Sequence, residues 1–466
     1  MAAEKISSSE WDACLRTLQT VIENPELAPE LETIERLAAK LYKQARKRQR
    51  KAAAAELIPT QRLERQMRSH HDRQQNRLDD LNIAAQTCMA LAHKGEPLDV
   101  RPDSGSTKLE VHGKSKSCYC CGTAYRKVHF FYHLLCPQCA EFNYAKRFQR
   151  VDLTGRYALV TGGRIKIGFQ TALKLLRDGA TVMVITRFSQ DAARRFAAQA
   201  DFEQWHKRLI IQRLNFLDLP GVLDFVQNVA KYWPVLDILI NNAAQTVWRP
   251  PEFYTPALQV ENTPLEALPK PVREIISASV KDISSKPLER FQSMPLDRHG
   301  QPVDKREKNS WTIRLHELEE RELLEVLLIN SAAPCLLIAK LKPLLLCSPY
   351  DKRFVINVCG QDGQFNRSAK TTRHPHVNMS KAALNMLTHT AAADYVQDGI
   401  YMNSVDTGWI THEGGYSKRK HRHAAGFIPP LDEIDGAARI YDPIVEGITG
   451  TPVFGKLLRN YQVAEW

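Results

Sequence analysis

The chain has 466 residues, 43% of them hydrophobic, and 64 lysines and arginines against 52 acidic residues give a net charge of +12. This length requires more than one domain, and the hydrophobic share is enough to bury a full core. No run approaches the roughly 18 uninterrupted apolar residues of a membrane span, and the start of the chain lacks the basic-then-apolar order of a secretory signal. We therefore expect an intracellular protein, cytoplasmic or nuclear, with no membrane partner.

Residues 1–100 are predicted to form a basic helical region. From residue 11 to residue 92, leucine and isoleucine recur at helical spacing with no glycine and three prolines, which predicts two or three amphipathic helices. Between residues 40 and 77, twelve lysines and arginines accompany three acidic residues. Such a run can bind nucleic acid or act as a nuclear address, and it equally suits the solvated face of a long helix.

Five of the ten cysteines lie between residues 118 and 139. Two CxxC pairs separated by fourteen residues offer four thiolates to a tetrahedral metal, which predicts a zinc ribbon over residues 101–150. The predicted Zn²⁺ ligands are Cys118, Cys121, Cys136 and Cys139. Cys120 is a fifth thiol, so either Cys118 or Cys120 can act together with Cys121. A dithiol redox pair is the alternative to a metal site. A closed four-thiolate site predicts structural zinc, packed by aromatic residues 130–132.

An apolar strand at residues 157–161 runs into glycines and then into the amphipathic stretch 169–177. Glycines let the backbone approach a pyrophosphate, and the start of the next helix attracts the anion. Further apolar strands follow at residues 181–186 and 236–244. Strands that alternate with helices predict an α/β fold with a doubly wound parallel sheet. A glycine loop by itself is also compatible with an ordinary tight turn.

The second half of the chain contains two segments that suggest regulation or ligand binding. Residues 245–311 form a proline-rich, charged insertion where ligands bind in doubly wound sheets, so we expect a lid or a dimer arm. Residues 411–423 carry clustered cations, which suit an anionic substrate or partner, or a plain exposed loop. A helix is predicted at residues 432–448, and residues 452–461 are predicted to close the sheet.

Five motifs in this order resemble the short-chain dehydrogenase/reductase family, over residues 152–461. Thr161, Gly162 and Gly168 match its TGxxxGxG loop, and residues 241–244 match its NNAG motif. Asn330 matches its helix asparagine, Lys381 matches the lysine of its YxxxK motif, and residues 403–411 resemble its N-x-V-x-P-G strand end. The resemblance implies a Rossmann-type domain over residues 151–466, an oxidoreductase activity and a homodimer, which the insertion would block or replace.

The resemblance also implies a cofactor. Lys166 replaces the middle glycine of the loop, as in the family's TGxxxRxG variant, and the second strand ends in Thr186 and Arg187 where an acidic residue would bind a free ribose 2′-hydroxyl. Two cations and no carboxylate favour NADP(H) over NAD(H), although both are also compatible with ordinary solvated side chains. The implied cofactor-binding residues are Thr161, Gly162, Lys166, Ile167, Gly168, Arg187, Asn242, Ala243 and Lys381.

The proton-donor half departs from the family. Gly360 stands where the family has its serine, and Val377 stands where it has its tyrosine. The implied catalytic residues are thus Lys381 and Asn330, with His376 as a substitute proton donor. His376 is one position before Val377, so on a helix its side chain would point about 100° away from that of the lost tyrosine. Other residues expected near the rim are His374, Asp362, Asp406, His412 and Tyr416.

Two functions are compatible with these residues. The first is an NADP(H)-dependent oxidoreductase acting on an unknown, anionic small molecule with an unusual proton donor. The second is a catalytically inactive NADP(H)-binding scaffold or sensor, which acts through its basic zinc module on nucleic acid or protein. The retained Asn330 and Lys381 favour the first, because a scaffold has less physical need for them.

Overall fold

The computed structural model describes residues 8–24, 33, 37, 42, 44, 109–110, 115–231, 233–276, 297, 299–366, 370–424 and 427–466. The chain divides into two compact units, Met1–His71 and Asp72–Trp466. The first contains helix α1 (Ser8–Glu23). The basic run at residues 43–51 lies outside the described residues, apart from one helical position at Gln44, so its predicted role stays a prediction.

The second unit begins with a small cysteine-containing module. Strand β1 (Leu109–Glu110) pairs with β4 (Lys127–Val128), and β2 (Lys116–Ser117) pairs with β3 (Ala124–Tyr125), both antiparallel. Helix α2 (Pro137–Arg147) follows, with Cys136 as its N-cap and Cys139 in its first turn. The second CxxC pair therefore opens a helix, which the prediction of a ribbon did not include.

The rest of the second unit is built on an eight-stranded sheet with the order β12-β11-β10-β9-β8-β5-β6-β7. Its strands are β5 (Tyr157–Thr161), β6 (Thr181–Thr186), β7 (Leu209–Arg213), β8 (Ile238–Asn241), β9 (Arg353–Cys359), β10 (Ile400–Asp406), β11 (Leu457–Arg459) and β12 (Gln462–Ala464). All neighbours are parallel except β11 and β12. The chain moves outward from β5 to β7 and then returns to β8 on the other side of β5. This topology confirms the predicted Rossmann-type sheet, in which ligands bind at the carboxyl ends of the two central strands.

Helices cover both faces of the sheet. They are α3 (Lys166–Arg177), α4 (Ser189–Ala197), α5 (Phe202–Trp205), α6 (Leu219–Asn228), α7 (Thr255–Glu261), α8 (Lys270–Glu274), α9 (Glu320–Leu327), α10 (Ala333–Leu346), α11 (Pro375–Tyr395), α12 (Tyr416–Ala424) and α13 (Glu433–Thr449). Their apolar sides form one buried cluster on each face. The predicted helix at residues 432–448 is α13, and Asp432 caps it by accepting the amide protons of Ile434 and Asp435 at 2.9 Å.

Helices α9 and α10 join through a π-helical turn, Leu328–Ala332. Among the described residues, this continuous helix, Glu320–Leu346, is long and apolar enough to cross a membrane by length and composition alone. Its residues Leu337, Leu341 and Leu345 are buried in the core, which is the placement of a core helix in a doubly wound sheet.

The cysteine module packs onto α13 through buried ion pairs. Arg147, at the end of α2, binds Asp432 at 2.7 Å and Asp435 at 3.0 Å, and the side chains of Arg147 and Asp435 are fully buried. Lys146 binds Asp442 at 2.6 Å and Glu446 at 2.7 Å. The module is thus part of the same compact unit as the sheet.

Candidate functional site

A cavity of about 850 Å³ lies at the carboxyl ends of β5, β6, β8, β9 and β10. The loop before α3, the insertion after β8 and the segment that follows β10 form its walls. Eight of the nine predicted cofactor residues line it: Gly162, Lys166, Ile167, Gly168, Arg187, Asn242, Ala243 and Lys381. The cavity is therefore the place where a dinucleotide would bind in this fold.

The ninth residue, Thr161, lies beneath the loop. Its hydroxyl accepts the amide protons of Asn242 and Ala243, both at 3.0 Å. Gly168 packs closely against its neighbours: a Cβ there would lie 2.4 Å from the carbonyl oxygen of Gly162 and 2.4 Å from the side-chain Nδ2 of Asn242. Thr161 and Asn242 thus fix the shape of the loop, and glycine is required at position 168.

Two cations face the cavity from the loop and from the end of β6. Lys166 has a φ of +56°, a left-handed conformation that favours glycine. Burial would raise the pKa of Glu413, but the charges of Lys166 and Arg249 outweigh it and lower that pKa. The Arg187 guanidinium stacks 4.5 Å from the ring centre of Tyr254, and in the part of the chain that the structure describes it forms no ion pair.

Lys381 lines the cavity, whereas Asn330 is buried and does not line it. The Lys381 ammonium is buried, donates to the carbonyl oxygen of Val358 at 2.8 Å, and has a pKa lowered by that burial. Asn330 lies in the π-helical turn, accepts the amide proton of Gln245 at 2.7 Å and donates to the Ser380 hydroxyl at 3.0 Å. Such π-turns are frequent at functional sites, and this one ties Asn330 to the residue before Lys381.

The positions of the missing serine and tyrosine differ in their surroundings. Gly360 lines the cavity with extended backbone, and a Cβ there would meet only Asp362 Oδ2, at 3.7 Å. Val377 is fully buried and does not line the cavity. The first site therefore has room for a side chain, whereas the second is closed by packing.

His376 requires a correction. Its side chain is fully buried away from the cavity, and its Nε2 lies 3.0 Å from Glu322 Oε1 on α9. The physical reason is the helical rotation of about 100° per residue, which turns His376 away from the face that Lys381 uses. The structure does not bring His376 to the site, so its predicted role as proton donor is not supported.

His374 lines the cavity instead. It precedes α11 with a left-handed φ of +45°, and its ring lies 4.5 Å from the ring of Trp311. Its Nδ1 is 3.1 Å from Asn378 Oδ1 and 3.9 Å from Asp362 Oδ1. Burial lowers the pKa of this histidine. His374, Asp362 and Lys381 thus offer three titratable groups to one cavity.

The other rim candidates are placed as follows. Asp406 lines the cavity and is paired in register with Cys359 of β9, which also lines it although it was not a rim candidate, and burial raises the pKa values of both side chains. His412 also lines it, and its Nε2 lies 2.8 Å from Arg422 Nη1. Tyr416 does not line it.

The insertion and the segment after β10 are joined above the cavity. Asp304 binds Arg249 and Arg306 within the insertion. Asn309 donates to the Glu413 carbonyl oxygen at 3.0 Å, and Glu307 accepts the amide proton of Ser417 at 2.7 Å. These bonds hold the two segments together, and the role of the insertion as a lid or a dimer arm stays a prediction. The sequence did not predict the bonds between the two segments, because the bonded residues lie about a hundred positions apart and no spacing rule relates them.

The four predicted metal ligands come together. The sulfur atoms of Cys118, Cys121, Cys136 and Cys139 all lie within 4.8 Å of one another, and those of Cys121 and Cys136 are 3.7 Å apart. A tetrahedral ion with metal–sulfur bonds of about 2.3 Å separates its ligands by about 3.8 Å, so the donor set fits. Cys120 is outside this cluster, which settles the pairing in favour of Cys118.

Comparisons with known proteins identify the family. Residues 156–263 match the short chain dehydrogenase family. An uncharacterized protein of Acanthamoeba polyphaga mimivirus is 31% identical over 348 residues, which cover 71% of each chain. An uncharacterized oxidoreductase of Schizosaccharomyces pombe is 36% identical over 100 residues, and retinol dehydrogenase 13 of Mus musculus is 33% identical over 108 residues. These two matches cover 22% and 23% of this chain and 29% and 31% of those relatives.

Among solved structures, the NADPH-bound carbonyl reductase from chicken fatty liver is 18% identical, with a TM-score of 0.42, and the match covers 67% of this chain and 100% of that one. The long mimivirus match, the family match around the glycine loop and the order of the strands lead to one conclusion. The chain belongs to the short-chain dehydrogenase/reductase family of NAD(P)-binding oxidoreductases and carries an additional N-terminal region with a four-cysteine cluster.

Proposed function

We propose that the protein is an NADP(H)-dependent reductase of an anionic carbonyl compound, in which His374 replaces the family's tyrosine as proton donor. The observation that carries this proposal is that His374, Lys381 and the glycine loop line one continuous cavity. Bound NADPH would supply a hydride to the carbonyl carbon. The chain must then position both molecules and deliver a proton to the carbonyl oxygen.

The preference for NADP(H) is supported by the cations at the adenosine end. Lys166 and Arg187 both line the cavity, and β6 ends in Thr186 with no carboxylate there to repel a phosphate. Arg187 is held by stacking on Tyr254, so its guanidinium is preorganised at low entropic cost. A 2′-phosphate would form charge-assisted hydrogen bonds with these cations, whereas a 2′-hydroxyl carries no charge to pair with them.

The proton would come from His374. Its imidazolium gives up the proton as the carbonyl oxygen gains negative charge, the product leaves as an alcohol, and the histidine regains a proton from solvent. Asp362, 3.9 Å from Nδ1, favours the protonated ring, while burial opposes it. Val377 replaces the tyrosine on which Lys381 would act, so the remaining role of Lys381 is to orient the nicotinamide ribose at the carboxyl end of β9.

An anionic substrate is supported by the rim of the cavity. Arg373 and Lys418 are exposed and line the cavity, one before α11 and one in α12. Cations at a cleft raise the local concentration of anions and speed their entry. A carboxylate or phosphate on the carbonyl compound would be held here, at the open end of the site.

For the cysteine cluster we propose Zn²⁺ in a structural role. Four thiolates favour this ion, and a four-thiolate site leaves no coordination position for a substrate. The metal would supply the stability that the small β1–β4 module cannot obtain from its own core.

A second candidate is the inactive NADP(H)-binding scaffold, which Gly360 and Val377 favour, since both lost side chains belong to the family's proton-transfer machinery. The deciding experiment titrates the protein with NADPH and NADH by fluorescence and then screens anionic aldehydes and ketones for NADPH oxidation. Micromolar NADPH binding with substrate-dependent oxidation that His374→Asn abolishes supports the reductase. Binding without turnover of any compound supports the scaffold, and no binding of either nucleotide contradicts both.

A further inference from the structure

The first cysteine pair places an aromatic side chain in the wall of the nucleotide cavity. Tyr119 follows the metal ligand Cys118 directly, and its ring lines the cavity. Its hydroxyl accepts the amide proton of Trp409 at 2.8 Å. Trp409 comes just after the carboxyl end of β10. The metal module is therefore part of the site, and its contact is made by a residue adjacent to a metal ligand.

This contact lies at the reactive end of the cavity. Asp406, three residues before Trp409, is paired in register with Cys359 on β9. The preceding residue, Val358, accepts the hydrogen bond of Lys381. Tyr119 therefore lies beside the strand ends that position Lys381, where the nicotinamide and the substrate would meet.

The same module also packs on the phosphate loop. Ile167, between Lys166 and Gly168, belongs to one apolar cluster with Cys118, Tyr132 and Ile410. The packing is tight, because a Cβ at Gly436 would lie 2.6 Å from Ile410 and 3.0 Å from Ile167. A continuous path of contacts thus joins a predicted metal-binding sulfur to the phosphate loop and to the reactive end of the cavity.

We infer that metal binding by the four cysteines and nucleotide binding in the cavity are thermodynamically coupled, with Tyr119 as the positioning residue that links them. The inference rests on the two ligands of the proposed function. Without metal, the first cysteine pair loses the bonds that fix its backbone, so Tyr119 and the support beneath Ile167 lose their fixed positions. A cavity with a mobile wall binds nucleotide more weakly, because ordering that wall then opposes binding.

Coupling of this kind is reciprocal. If metal raises the affinity for NADPH by some factor, NADPH must raise the affinity for metal by the same factor. Couplings between sites in proteins are typically about 5-fold to 150-fold. Two independent binding measurements must therefore agree, and neither requires the substrate or any turnover.

The experiment uses the full-length, zinc-loaded protein. NADPH affinity is measured by fluorescence before and after metal removal, and zinc affinity is measured by competition with a coloured chelator, with and without saturating NADPH. We expect NADPH to bind at least about 5-fold more weakly to the metal-free protein, and zinc to be held more tightly by the same factor when NADPH is present. Equal affinities in either pair of measurements would overturn the inference.

Three variants separate the role of Tyr119 from general stability. Tyr119→Ala should keep one bound zinc, bind NADPH more weakly and abolish the effect of NADPH on zinc affinity, while Tyr119→Phe should lose part of the coupling. The matched control is Tyr125→Phe, whose hydroxyl donates to the His133 carbonyl oxygen at 2.8 Å inside the module. The control should behave like the wild type. Wild-type coupling in Tyr119→Ala would overturn the role of Tyr119.

The failure of the inference can be told apart from failure of the proposed function. Purified protein without zinc contradicts the metal assignment, and zinc-loaded protein that binds no NADPH contradicts the cofactor assignment; either result also overturns the coupling. Protein that binds both ligands independently overturns the coupling alone. If removal of the metal unfolds the protein, the comparison between Tyr119→Ala and Tyr125→Phe, both zinc-loaded, decides the question.

Discussion

The ammonium group of Lys381 donates a hydrogen bond of 2.8 Å to the carbonyl oxygen of Val358. In the family this lysine also acts on a tyrosine, but here the matching position is Val377, which is buried outside the cavity. Lys381 is itself buried, and its pKa is lowered by that burial. Burial costs this ammonium part of its hydration, and its hydrogen bond to Val358 offsets some of that cost; a bound nucleotide would offset more.

Lys381→Met should therefore weaken NADPH binding by about 10-fold or more, which corresponds to about 1.4 kcal/mol, because the ribose loses its donor. A fluorescence titration measures this. Lys352→Met is the matched control, since Lys352 lies at the opposite end of β9 and also binds backbone carbonyls, those of Gly447 and Gly450 at 3.0 and 2.9 Å. Unchanged NADPH affinity in Lys381→Met would contradict a role for Lys381 in nucleotide binding.

His374→Asn should lower kcat for carbonyl reduction by about 10²-fold to 10⁴-fold, the usual contribution of a general acid, with NADPH affinity unchanged. Steady-state kinetics and a binding titration test both parts. The control is His376→Asn, which removes the buried contact with Glu322. This variant should lower Tm and leave kcat close to the wild-type value. A full loss of activity in the control with normal rates in His374→Asn would reverse the assignment.

The pH dependence of reduction should follow the same histidine. Burial lowers the pKa of His374 below the ordinary histidine value of about 6.5. Asp362 raises that pKa, while Lys370 and His376 lower it further. The acid is active only when protonated, so the rate should fall as pH rises, with its midpoint below about 6.5. This limb should be absent from the profile of His374→Asn, and a rate that rises with pH would exclude His374 as the acid.

The fold was predictable because its signals are local. The glycine loop, the apolar strands and the two CxxC pairs each lie within a few residues of sequence, where spacing alone determines geometry. Helix α13 begins one residue after its predicted start because Asp432 is its N-cap and not its first helical residue. The choice between Cys118 and Cys120 depended on the turn between β2 and β3, which a short spacing does not specify.

The site was less predictable where it depends on rotation and on distant contacts. His376 and His374 are two positions apart, yet only His374 faces the cavity, because it lies in the left-handed turn before the helix. Tyr119 reaches the cavity through the docking of the cysteine module on α13, and Glu413 approaches Lys166 through the segment after β10. Neither contact has a sequence signal, since each joins segments more than two hundred residues apart.

Gly168→Ala should abolish NADPH binding. The added Cβ would lie 2.4 Å from the carbonyl oxygen of Gly162, a backbone atom that cannot move without changing the shape of the phosphate loop. Gly360→Ala is the matched control, because its Cβ would have room and its backbone is extended. Isothermal titration with NADPH should show loss of binding in the first variant and wild-type affinity in the second. Wild-type binding by Gly168→Ala would show that the loop does not hold the nucleotide.

Arg187→Ala should reduce the preference for NADPH over NADH. A hydrogen bond to a charged group contributes about 1.5–3 kcal/mol, so NADPH affinity should fall by about 10-fold to 150-fold while NADH affinity stays the same. Arg194→Ala removes a nearby exposed arginine that does not line the cavity and should change neither affinity. If Arg187→Ala weakened NADPH and NADH binding equally, the guanidinium would contact a group that both nucleotides carry and not the 2′-phosphate.

Arg147→Met should destabilise the contact between the cysteine module and α13. Arg147 and Asp435 are fully buried and lie 3.0 Å apart, so removing the cation leaves the Asp435 carboxylate without its ion-pair partner, at a cost of up to about 3–5 kcal/mol. Replacing both partners, as Arg147→Met with Asp435→Asn, removes the charge as well and should recover much of the lost Tm, measured by thermal unfolding of the zinc-loaded protein. Arg150→Met is the control, since Arg150 is partly exposed beside Asp178. If the double variant unfolds at or below the temperature of Arg147→Met, the lost partner of Asp435 is not the cause, and the guanidinium acts mainly through Asp432 or through its packing on Phe131, 4.5 Å from the ring centre.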